Sequence, residues 1–214
     1  MGDRDREILR KRLEKAEQMA SHGRLEEFDK FYRFKPEEYY KEILENEHGI
    51  MKPVPKDSCG HDSTSPINGK INGMFFGLEE KLSSPFGNRR LAIPAKNLLP
   101  SDFELYFADF YCNRRSDRHW VTLVAMRGGS DAHKEFASKL LPLPIDNPFL
   151  RRQPFLVHKS YRDLFVELFF TESINISELS IVESGTFGKG RSRFGGIPNN
   201  PFCKICGIEG VDPV

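Results

Sequence analysis

Apolar residues recur at helical spacing from the start of the chain. Leu9, Leu13, Ala16 and Ala20 follow one another at intervals of four, three and four, so one helix face carries them all. The helical pattern reaches from about residue 3 to residue 34. Gly23 would break or bend it, and Leu25, Phe28, Phe31 and Tyr32 start a second apolar face. Pro36 suits the first turn of another helix, where a missing N–H is no loss, and Tyr39, Tyr40, Ile43 and Leu44 follow it. Residues 1–45 therefore read as a helical arm. The heptad is not sustained, which favours a packed helical pair over a coiled coil.

Periodicity stops across residues 46–72. Pro53, Pro55, Pro66, Gly60 and Gly69 stand there among Ser, Thr and Asp, the composition of a long surface loop. From residue 73 to 182 the pattern is that of a sheet region. Met74–Phe76 and Leu91–Ile93 are short apolar runs. Leu105–Cys112 and His119–Met126 form the clearest strand pair, joined by a polar link suited to an antiparallel hairpin. Strict alternation would put Phe107, Asp109 and Tyr111 on one face, and Tyr106, Phe110 and Cys112 on the other. Ser130 and Asp131 open a helix carrying Ala132, Phe136, Ala137 and Leu140. Strands are expected again near Pro154–Val157 and over Leu164–Phe170. Residues 183–214 are a Gly-rich tail. The expected fold is one α+β domain, an amino-terminal helical arm packed on a mostly antiparallel sheet.

Composition sharpens this picture. The 214 residues suffice for one large domain, and 38% hydrophobic with 29% charged residues excludes wholesale disorder. Phe is in surplus, with 18 copies that serve as large aromatic anchors. The 32 basic and 31 acidic residues leave a net charge of +1, which removes any bulk-charge argument for nucleic acid or an anionic membrane. No window approaches the roughly 18 apolar residues that a membrane span needs. The amino terminus is charged from Asp3 onward and holds no apolar signal core, so a cytoplasmic location is expected. Arg6 stands where a myristoylation signal after Gly2 requires Ser or Thr. The sequon Asn175-Ile176-Ser177 is expected to be unused. Four cysteines are too few for a disulfide scaffold and fit a reducing compartment.

Cys203 and Cys206 carry the most specific chemical signal. Two intervening residues let both thiolates reach one zinc ion from a tight turn, which is half of a tetrahedral site. Cys59 and His61 would supply the other half, at a spacing tighter than zinc ligands usually show. Free thiols and a redox pair are the alternatives. Cys112 and His119 flank the hairpin as a nucleophile–base pair would, with Asp109 nearby, which gives a divergent enzyme as the competing function. A small thiol at a strand end is also an ordinary core residue. Asp109 and Glu167, single carboxylates on strands, do not make a glycosidase. Gly185–Gly196 mixes Gly, Phe and basic residues as single-stranded RNA binders do, but three basic residues are few for that purpose.

Several of these segments together resemble one family. Leu13–Ala20 and Phe31-Tyr32-Arg33 are followed in order by Gly73–Phe76, Ser84–Gly87, Ile93-Pro94-Ala95 and Leu105–Cys112. Leu141-Pro142-Leu143, Thr171-Glu172 and Cys203–Cys206 complete the series. The chain resembles the carboxy-terminal region of phytanoyl-CoA hydroxylase-interacting proteins from about residue 10 to 206, most specifically at Ala108–Cys112. The fibronectin type III domain that precedes this region in full-length relatives is not among these residues. The resemblance implies a non-catalytic adaptor in the cytoplasm. Its implied protein partner is phytanoyl-CoA hydroxylase, a peroxisomal iron- and 2-oxoglutarate-dependent enzyme. The family supplies no established catalytic residues to carry over. Arg114, Arg115 and Arg118, at the hairpin tip beside aromatic residues, are the candidate partner-binding residues, because interface centres are enriched in Arg and aromatics.

Overall fold

The computed structural model describes residues 3–20, 24–25, 30–55, 67, 71–77, 89–113, 118–145, 152–153, 164–177 and 182–183. Its helices are α1 (Asp3–Ala20), α2 (Glu37–Asn46), α3 (Ala95–Leu98) and α4 (Asp131–Phe136), the last continued by a 3₁₀ turn over Ala137–Lys139. The strands begin with β1 (Arg24–Leu25), β2 (Lys30–Lys35), β3 (Ile50–Met51), β4 (Val54–Pro55), β5 (Asn72–Gly77) and β6 (Arg89–Pro94). They continue with β7 (Phe103–Asn113), β8 (Arg118–Arg127), β9 (Leu141–Leu143), β10 (Arg152–Gln153), β11 (Leu164–Phe170), β12 (Ile174–Asn175) and β13 (Val182–Glu183). The main sheet has the order β13-β6-β2-β5-β11-β8-β7-β9, with β4 also beside β5. Among the described residues, β8–β11 is the one parallel pair in it. The fold is α+β, with an amino-terminal helix and a mostly antiparallel sheet.

Apolar side chains cover both faces of this sheet. On the first face, Phe107, Phe110, Leu123 and Leu168 join Leu9 and Ala16 of α1 and Tyr40 and Ile43 of α2 in one buried cluster. On the second, Tyr106, Val124, Met126 and Phe169 pack with Phe136 of α4, Leu140, Ile67 and Ile71. The Ser130 hydroxyl accepts a hydrogen bond from His133 N at 3.1 Å and caps α4, as the sequence pattern predicts. Gly73 leaves room for the Phe169 ring of β11 over β5, because a Cβ at that position would lie 2.3 Å from that ring.

Four expectations need correction. Residues 30–35 do not continue a helix; they form β2, paired with β6 along its whole length and with β5 at Tyr32–Gly77. Phe31, Tyr32 and Arg33 are all buried there, and pairing on two sides outweighs a local pattern that fits either structure. The stretch 46–72 is not all loop. Met51 is fully buried in β3, which pairs with β12, and Ile67 and Ile71 anchor the second core cluster. Residues 56–66 lie outside the described residues. Leu44, expected on the apolar face of α2, is 44% exposed, while Tyr40 and Ile43 carry the packing.

The fourth correction concerns β7. Phe107 pairs with Leu123, yet Asp109 pairs with Thr122, so Ala108 is an extra residue in a β-bulge. The bulge reverses the alternation. Phe110 consequently shares the first face with Phe107, and Tyr106 lies on the second face without it. Strand periodicity alone gave the opposite grouping.

Candidate functional site

The β7–β8 hairpin places the residues singled out in the sequence. Its last backbone pairs are Tyr111–Trp120, Cys112–His119 and Asn113–Arg118. Cys112 and His119 therefore occupy directly opposed positions. Asp109, paired with Thr122, sits in the other phase of the strand, so the backbone does not gather Asp109, Cys112 and His119 at one point. Arg118 opens β8 at the tip. Arg114 and Arg115 lie outside the described residues, as do Cys59, His61, Cys203, Cys206 and the segment 185–196. Among the described residues, no group of three or more His, Cys, Asp or Glu side chains is arranged to hold a metal ion.

At the opposite end of the hairpin the structure assembles a polar cluster. Glu104 and Tyr106, two residues apart on β7, present their side chains to His133 in the first turn of α4. His133 Nε2 lies 2.8 Å from Glu104 Oε2 and 3.0 Å from the Tyr106 hydroxyl, which donates a short hydrogen bond to Glu104 Oε2. These contacts are all satisfied when Nε2 carries a proton and donates, whether the ring is neutral or charged. The Tyr106 hydroxyl, and after it His133, hold the Glu104 carboxyl below its usual range. Burial, with Glu104 beside it, pushes the Tyr106 phenol well above its ordinary value. The cluster is therefore set as carboxylate and phenol across neutral pH. The hydrogen bonds from Tyr106 and His133 fix the Glu104 carboxylate at the end of the sheet.

Beside Glu104 runs an open apolar groove of about 410 Å³, lined by Phe103, Leu105, Pro142, Leu143, Pro144 and Ile145. Arg127 closes the neighbouring corner, bonding Asp102 at 2.6 Å and Glu172 at 3.1 Å while its guanidinium lies over the Phe103 ring. Sequence reading missed this end of the molecule. Its one available signal was the Ser130 cap, which fixes His133 in the first helical turn. Nothing in the linear pattern joined that turn to Glu104.

The structure is thus an α+β module whose sheet is packed on both faces, with a carboxylate cluster beside an apolar groove. The sequence model of the phytanoyl-CoA hydroxylase-interacting protein C-terminus matches residues 2–211, and the chain belongs to that family. No solved structure matches the chain. No described helix is long and apolar enough to cross a membrane.

Proposed function

We propose that the chain is a non-catalytic protein-interaction module that acts as a cytoplasmic adaptor, with phytanoyl-CoA hydroxylase as its partner. The observation that carries this reading is membership, over residues 2–211, of a family described by interaction with that hydroxylase. The hairpin tip is the proposed contact, with Arg114, Arg115 and Arg118 supplying planar donors for partner carboxylates. A net charge of +1 argues that aromatic and apolar contacts, rather than bulk electrostatics, dominate the affinity.

Titration of the chain against purified hydroxylase tests this. Saturable binding is expected, weakening only modestly between low and physiological salt. Replacing the three arginines by Ala should slow association if they steer, and speed dissociation if they anchor. A sandwich-containing relative that binds the hydroxylase while this chain stays unbound at high micromolar concentration would remove the proposed partner. We also infer a structural zinc held by Cys203, Cys206, Cys59 and His61, the donor types of a Cys3His site. Metal analysis of protein purified without chelator should find close to one zinc per chain, and a metal-free preparation ends that proposal.

A further inference from the structure

We propose that the groove between β7 and the Leu141–Ile145 segment docks a partner segment carrying a bulky apolar side chain next to Lys or Arg. The inference rests on the reading of the chain as a protein-interaction module and assigns it a second surface, at the far end of the sheet from the hairpin tip. The groove holds about 410 Å³, room for one or two large side chains, and its walls are apolar apart from Glu104. Ile145 stands 40% exposed at its rim.

Charge complementarity selects the occupant. Glu104 Oε2 is occupied by Tyr106 and His133, whereas Oε1 has no hydrogen-bond partner among the described residues. The Glu104 side chain is 53% exposed and its carboxyl is held ionised. A cation entering beside an apolar anchor meets a carboxylate whose position is already fixed, so little freedom is lost on pairing. Strand addition is the geometry this edge resists. β9 is only three residues long, its middle residue is Pro142, and Pro144 follows, so two backbone donors that an added strand would need are missing. The docked segment therefore binds through its side chains.

The test uses acetyl-Gly-Phe-Lys-Gly-amide and acetyl-Gly-Phe-Glu-Gly-amide as probes, followed by methyl NMR on the intact chain. Weak binding of the Lys peptide is expected, moving the Leu105, Leu143 and Ile145 signals. The Glu peptide should bind about two- to fivefold more weakly, the range of one exposed ion pair. Ile145→Asp should weaken the Lys peptide, and Glu104→Gln should erase the difference between the peptides. Equal binding of both peptides, shifts confined to other parts of the chain, or no shifts at all overturn the proposal. Hydroxylase binding by Ile145→Asp separates the two readings. Unaltered affinity there leaves the adaptor function standing and removes the groove from it. A hydroxylase that ignores the wild-type chain removes the partner, while the peptide experiment still judges the groove.

Discussion

In the middle of the first sheet face Phe107 and Phe110 are fully buried among apolar side chains, whereas on the second face Tyr106 is 5% exposed and carries a hydroxyl into the packing. Around Phe107 and Phe110, dispersion and water exclusion suffice. On the second, a buried hydroxyl must find partners or carry its full desolvation penalty, and Glu104 and His133 provide them. Tyr40 shows the first face's version of the same problem. Its hydroxyl donates to a single backbone acceptor, Arg33 O, at 2.8 Å. The backbone acceptor leaves no charge behind, while the Tyr106 solution leaves a fixed carboxylate at the edge of the sheet. That carboxylate stands where the second core meets solvent.

The largest expected effect tests the dry face. Phe110→Ala should destabilise the chain by about 3–5 kcal/mol in denaturant unfolding, because the fully buried ring leaves a cavity in a close-packed cluster. A loss below about 1 kcal/mol would mean that Phe110 is a surface residue and that the bulge does not turn it into the core. Next in size is Gly73→Ala. The added Cβ would meet the Phe169 ring at 2.3 Å, and relieving that clash should cost about 1–3 kcal/mol. A neutral outcome would show that the second face is loosely packed.

Removing the two hydroxyls separates the faces more finely. Tyr106→Phe and Tyr40→Phe should each cost about 0.5–1.5 kcal/mol near neutral pH. Burial raises both phenols above their ordinary value of 10.0. A raised folded pKa means that the contribution is complete below pH 10.0 and falls away as pH rises through the folded value. Each Phe variant should therefore lose less stability than wild type in alkali. Equal alkaline loss in both variants and wild type would show that neither phenol is buried as described.

The smallest effect lies on the acid side. The Glu104 carboxyl is held below its ordinary 4.5, so its contribution is complete above that pH and disappears as pH falls through the lowered folded value. Glu104→Gln should flatten this part of the acid-unfolding profile. The change should be small, since the side chain is 53% exposed. An unchanged acid limb would mean that the cluster does not hold the carboxylate.

Much of this architecture was legible along the chain. Leu9, Leu13 and Ala16 marked α1, the aromatic and β-branched runs marked β5 to β8 and β11, and Ser130 marked the start of α4. These signals are local: helical spacing, alternation, turn composition and capping each depend on a few neighbouring residues. The family was legible too, since ordered segments along the chain carry it. The amino-acid sequence by itself thus determined the α+β class, most core residues and the antiparallel β7–β8 hairpin. Tertiary structure alone decided that residues 30–35 become an inner strand, because pairing with β6 and β5 rather than local preference settles that choice. It also decided the bulge at Ala108, where one unpaired residue reverses every later position of β7. The Glu104–Tyr106–His133 cluster belongs to the same category. It joins residues 29 apart in sequence, and their meeting depends on how α4 settles on the second face.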